Sequence, residues 1–195
     1  MWELVQKMPS TRLNNYLFRN NHDLRFSDVT KAWGITRRST NSGVVYADLD
    51  NDGDLDLVIN NLNDEATLYR NNSSKNRQAH YIRIRLKGKG KNSFGIGSKV
   101  YVQTDHGSQM QEEYTSRGFQ SSVDPILHVG LGADSIIRSL TVQWPGGEES
   151  RLTNVKADTL LVIDQAGSSA PAGNSPEIPG DASPVAHPLF RDVTR

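Results

Sequence analysis

Gly43-Val44-Val45-Tyr46-Ala47-Asp48-Leu49-Asp50-Asn51-Asp52-Gly53-Asp54-Leu55-Asp56-Leu57-Val58-Ile59 is the stretch on which the reading turns. Two apolar runs with β-favouring residues flank five aspartates in nine positions, with no basic residue among them. Carboxylates so placed repel one another unless a cation sits between them. Alternate spacing lets a tightly curved loop turn Asp48, Asp50 and Asp52 inward, and Gly53 permits the bend that follows. The carbonyl of Asp54 can then face an ion, with Asp56 closing the shell. Hard oxygen donors in that number suit Ca²⁺, which takes six to eight; Mg²⁺ keeps a stricter octahedron and more water. The competing reading is an acidic, solvated hairpin turn. The pattern argues against an EF-hand, whose twelfth loop position needs a bidentate Glu but here holds Ile59, and whose flanks would be helical.

Outward from the loop, the chain repeats itself. Leu17-Phe18-Arg19-Asn20-Asn21 returns as Leu68-Tyr69-Arg70-Asn71-Asn72, and Phe26-Ser27-Asp28-Val29-Thr30 returns as Phe190-Arg191-Asp192-Val193-Thr194. One unit therefore runs from Phe-x-Asp-Val-Thr to Leu-aromatic-Arg-Asn-Asn. The chain opens in the tail of one unit, holds one whole unit and stops in the head of another, the expected pattern for a piece of a longer protein. Its first residues carry no basic segment followed by an apolar one, so no signal peptide is expected within it.

The remainder alternates with period two. Residues 81–87, 99–103, 126–129, 139–144 and 159–163 read as strands, separated by turn chemistry such as Pro145-Gly146-Gly147. The spacing predicts a sandwich or open barrel, and the chain as a whole is predicted all-β. The expected division is a repeat region over 1–75, a β domain over 80–165, a linker over 166–188 and the start of a further repeat over 189–195. The linker holds five of the eight prolines among Gly, Ser and Ala, which predicts a semi-extended tether.

The acidic loop, its flanking strands, the preceding Phe-x-Asp-Val-Thr and the following Leu-Tyr-Arg-Asn together resemble an FG-GAP (VCBS-type) repeat over about Leu13 to Asn72. The resemblance implies partial β-propeller blades packed beside the second domain. It also implies Ca²⁺ held by the side chains of Asp48, Asp50, Asp52 and Asp56 and the backbone of Asp54. Phe94-Gly95-Ile96-Gly97-Ser98-Lys99-Val100, Arg117-Gly118-Phe119-Gln120-Ser121-Ser122, His128-Val129-Gly130-Leu131-Gly132 and Val142-Gln143-Trp144-Pro145-Gly146-Gly147 resemble the ASPIC/UnbV domain, over about His80 to Gln165. Val129 stands where that family often carries Phe. Neither resemblance brings an established enzymatic activity, so both imply binding.

Composition narrows the function further. Lys+Arg and Asp+Glu are both 22 in 195 residues, and a net charge of zero argues against a general nucleic-acid or membrane-surface binder. No cysteine is present, which removes disulfides, thiolate metal sites and a cysteine nucleophile. No apolar run reaches the length of a membrane span. Arg83, Arg85, Lys87, Lys89 and Lys91 form a basic stripe, read as the solvated face of an edge strand; its alternative partners are an acidic glycan or a neighbouring acidic loop. His128 with Glu112 or Glu113 makes an acid–base pair only if a cleft brings them together, and an isolated strand histidine is more often a hydrogen-bonded core residue. Trp144 is read as core, with sugar stacking as the alternative. Asn71-Asn72-Ser73-Ser74 carries glycosylation sequons.

The expectation is a calcium-binding, non-enzymatic module of an extracellular, periplasmic or cell-surface protein, since a weak site of this type would stay mostly empty in cytosol. Its expected partners are extracellular proteins or glycans and the remaining blades of the parent chain. The runner-up is an accessory carbohydrate-binding module of an extracellular polysaccharide-degrading enzyme.

Overall fold

The computed structural model describes residues 11–21, 23–73, 79–170 and 190–192. Among them the chain is all-β, with one short 3₁₀ turn at Gln165–Gly167. In chain order the strands are β1 (Leu13–Asn14), β2 (Phe18–Asn20), β3 (Phe26–Asp28), β4 (Arg38–Ser39), β5 (Asn41–Ala47), β6 (Asp56–Asn61), β7 (Thr67–Asn71) and β8 (His80–Lys87). There follow β9 (Lys99–Gln103), β10 (Ser108–Glu112), β11 (Leu127–Gly132), β12 (Ile136–Gln143), β13 (Glu149–Lys156), β14 (Thr159–Asp164) and β15 (Phe190–Asp192).

The acidic loop joins β5 to β6 as a hairpin, in the four-stranded sheet β15-β7-β6-β5. The fourth strand of that sheet arrives from the far end of the chain. Phe190 lies opposite Asn71, and Asp192 opposite Tyr69. The earlier copy of the same motif pairs identically, with Phe26 opposite Asn20 and Asp28 opposite Phe18. The structural unit is therefore offset from the sequence unit, because each Phe-x-Asp head completes the sheet begun by the preceding Leu-aromatic-Arg-Asn tail. Residues 79–170 are consequently inserted between the third and fourth strands of one blade-like sheet.

The repeated motif has a local physical role. The Asp28 carboxylate accepts from the Thr30 amide at 2.9 Å, and the Thr30 hydroxyl oxygen accepts from the Leu17 amide at 2.9 Å. Together they fasten the end of β3 back onto the start of β2. The apolar core of the repeat is small: Ile35, Ile59 and Tyr69 are buried, with Leu17 and Leu57 packed against them. Leu13, Tyr16, Phe18, Phe26 and Leu62 are exposed.

The second domain carries most of the buried apolar surface. Its sheets β10-β9-β12-β13 and β11-β8-β14 face each other across one core. Ile82, Ile84, Leu86, Val129 and Ile163 meet Val100, Val102, Leu140 and Val142 there. The two open sheets form a sandwich, within the predicted class. Two strands have no counterpart in the sequence reading. Polar β10 alternates little in burial, and β13 exposes half of its residues without strict alternation, so neither shows the period-two signal.

Two expectations need correction. Strand β8 is central in its sheet, antiparallel to β11 and parallel to β14, and not an edge. The expected tether also begins later than Ala166: Ser169 exchanges two 2.8 Å backbone hydrogen bonds with Glu149, so this part of the chain is fastened to the second domain. The rest of the proline-rich stretch lies outside the described residues.

Candidate metal centre and the domain seam

The β5–β6 hairpin cannot close with all its residues in ordinary backbone conformations. Asn51 (φ 58°) and Gly53 (φ 88°) both turn left-handed, as the curvature requires. Side chains then stabilise the turn: the Asp52 amide donates to the Asp50 carboxylate at 3.3 Å, and the Asp54 amide to Asp52 at 3.1 Å. This winding brings one carboxylate oxygen each from Asp48, Asp50 and Asp52 within 4.8 Å of one another.

The other two predicted ligands are used differently. Asp56 is buried, with Oδ1 accepting from the Asn71 amide at 2.8 Å and Oδ2 from the Leu49 amide at 3.3 Å. It thus ties both ends of the loop to the neighbouring strand. Burial raises its pKa, against the pull of those two amides, and the nearby charges of Asp50 and Asp52 add to the rise. The Asp54 carboxylate accepts from the Ser73 hydroxyl at 2.7 Å. Asn71, the first sequon residue, donates its side-chain amide to the Leu55 carbonyl at 3.2 Å, which commits that nitrogen to the fold.

Two arginines lean on the carboxylates. Arg70, on β7, pairs with Asp50 and lies 3.6 Å from Asp52. Arg83, on β8, meets Asp48 at 3.0 Å. The basic stripe is thus not simply a solvated face, since its first member sits against the acidic loop. Five aspartates against two arginines leave a formal charge of minus three on the hairpin. The Asp48 side chain is only 5% exposed, and its Oδ1 atom is buried with no hydrogen-bond partner. An orphaned anionic oxygen, next to two further carboxylates and a surplus of negative charge, fits a hard divalent cation.

The second domain grips this loop from outside. His128, on β11, lies 2.7 Å through Nε2 from the Gly53 carbonyl. A carbonyl only accepts, so Nε2 carries the proton, and burial lowers the imidazole pKa below its usual value, keeping it neutral. The His128 ring stacks on Tyr81 at 5.3 Å between centroids. Tyr81 in turn lies against the Gly53 backbone, where a Cβ would come within 2.0 Å of its ring. Histidine, tyrosine and arginine from one sheet therefore converge on the loop at Gly53 and Asp48.

A cavity of about 250 Å³ with a mixed lining lies along the same seam, where Glu113, Arg117 and Asp124 stand among apolar residues such as Leu55 and Ile126, with Tyr46, Glu112 and His128 also on its wall. The structure thus gathers the residues of the hypothetical acid–base pair around one space, with the Nε2 proton of His128 already given to Gly53. Arg117 lies near Glu112 and Glu113 in sequence, but no local pattern signals the inclusion of Tyr46 and Asp124, which come from the other domain and from an irregular loop. Trp144 is buried, donating from Nε1 to the Ser150 hydroxyl at 3.0 Å, which places it in the core and not on a sugar-facing surface.

Comparison with known proteins agrees with this division. Residues 9–59 match the FG-GAP-like repeat, and residues 88–170 match the family described as ASPIC and UnbV. Cartilage acidic protein 1 of Homo sapiens is 25% identical over 143 residues, covering 71% of this chain. The chain spans 21% of that relative's length. It carries an FG-GAP-like repeat followed by an ASPIC/UnbV domain.

Proposed function

We propose that this chain is a calcium-stabilised, non-enzymatic binding module of an extracellular or cell-surface protein. The observation that supports this best is the convergence of Asp48, Asp50 and Asp52 around a buried, unpartnered Asp48 oxygen. Those three residues would hold Ca²⁺ by their side chains, with the Asp54 backbone and Asp56 completing the predicted set. The ion supplies positive charge and cross-linking, and no chemistry on a substrate. Asp56 already anchors the loop to β7, Arg70 and Arg83 offset part of the charge, and His128 and Tyr81 hold Gly53 in place. Extracellular modules of this type work with Kd of roughly 10⁻⁴–10⁻³ M, which suits calcium outside cells. The partners are extracellular proteins or glycans, presented with a surface made rigid by the metal.

A thermal melt in millimolar Ca²⁺ and in EDTA tests the reading. At a hundredfold excess over Kd, an ion bound only by the folded state adds about 2.7 kcal/mol. For a chain of this size that is a rise in Tm of about 5–10 °C. Asp50→Ala/Asp52→Ala abolishes the rise. Equal melting of the wild type with and without calcium overturns the proposal.

A further inference from the structure

We propose that the seam cavity is a binding site for an uncharged, monosaccharide-sized polyol, held by Glu113, Arg117 and Asp124 with Tyr46 and Tyr114 as its aromatic walls. The proposal deepens the binding role proposed above and rests on it for the class of partner, but it needs no calcium.

Glu113 carries the argument. The residue is 2% exposed, yet its Oε2 atom has no hydrogen-bond partner, a costly arrangement for a buried polar group unless a ligand or solvent supplies one. It stands immediately beyond β10, where its amide donates to the Ser98 carbonyl and its carbonyl accepts from the Gly97 amide, each at 2.8 Å. The backbone is thus fixed on a strand extension, and Glu113 lines the cavity from a rigid base. Arg117 gives only its Nε, to the Tyr46 hydroxyl at 3.1 Å, while its guanidinium carbon lies 5.4 Å from the Tyr114 ring centroid. Among the described residues its terminal nitrogens make no hydrogen bond, and they remain donors for a ligand.

Charge decides the ligand class. Asp124 and Glu112 oppose an anion, and Arg117 opposes a cation at the same wall. A neutral ligand whose hydroxyls both donate and accept pairs with the guanidinium and the carboxylates alike. Tyrosine rings add flat apolar surface for the C–H face of a sugar ring. The volume, about 250 Å³, is just below the usual range of ligand pockets and suits one sugar residue, not an extended chain.

Saturation-transfer NMR on the full chain, with glucose, galactose and mannose as probes, tests the site. Glucuronate and glucosamine serve as the anionic and cationic comparisons. The expected result is saturation of at least one neutral hexose at millimolar affinity, and at least tenfold weaker binding by both Glu113→Leu and Arg117→Met, each checked by its melt. No transfer to any neutral hexose overturns the proposal, as does unchanged binding by the folded variants or preferential binding of either charged sugar. The spectra are taken in Ca²⁺ and in EDTA. A calcium-dependent melt without sugar binding removes the cavity assignment alone, and sugar binding without a calcium-dependent melt removes the metal assignment alone.

Discussion

Replacing Glu113 by Gln isolates what a buried carboxyl does to this fold. Burial raises its pKa from 4.5 to about 7, with Arg117 pulling it back and Asp124 adding to the rise. The folded chain therefore holds the proton more tightly than the unfolded chain does. Between pH 4.5 and about 7 the native state binds more protons, so this group's contribution to stability falls as pH rises through that window and is level outside it. At roughly 1.4 kcal/mol per pH unit, the loss across the window has a ceiling of about 3 kcal/mol. Gln keeps the shape and cannot ionise. Urea unfolding followed by tryptophan fluorescence, from pH 5 to 8.5 in EDTA, gives the difference between wild type and variant at each pH. The two are expected to be close at pH 5, with Gln the more stable by about 2–3 kcal/mol at pH 8. A difference that stays flat over the range refutes the reasoning, because it would mean that Glu113 ionises in the folded state as freely as in water.

Two further outcomes follow from the seam. Gly53→Ala forces a side chain into the Tyr81 ring at a φ of 88°, and is expected to cost about 2–3 kcal/mol by urea unfolding and to weaken the calcium-dependent rise in Tm. His128→Phe keeps a ring against Tyr81 but leaves the Gly53 carbonyl without its donor, with an expected cost of about 1–3 kcal/mol in the same assay.

The legible parts of the fold were those with a one-dimensional signature. The alternation in Tyr81-Ile82-Arg83-Ile84-Arg85-Leu86-Lys87 marks a strand with one face in the core, and β8 lies there. The aspartate spacing gives a loop that brings Asp48, Asp50 and Asp52 together. Sequence says less where strands are polar, as in β10 and β13, or where pairing is between distant segments, as for β15 on β7. It also left open what faces a charged residue: Arg83 reads the same on a solvated face as against Asp48. Only the docking of two domains decides between them, and no local pattern encodes that docking.

That docking explains why so small a repeat holds together. Ile35, Ile59 and Tyr69 bury too little apolar surface to offset the ordering of some sixty residues by themselves. The hairpin adds a residual negative charge, which opposes folding further. Both deficits are met at one place. Arg83 comes from the larger core and reduces the charge, Tyr81 covers the Gly53 backbone, and His128 satisfies the Gly53 carbonyl. A cation bound by the same loop would favour the curved form that these three residues recognise, and their grip would favour the form that binds the cation. Metal affinity and domain docking are then reciprocal terms of a single equilibrium. A hairpin cut away from β8 and β11 would lose calcium affinity although every aspartate remained.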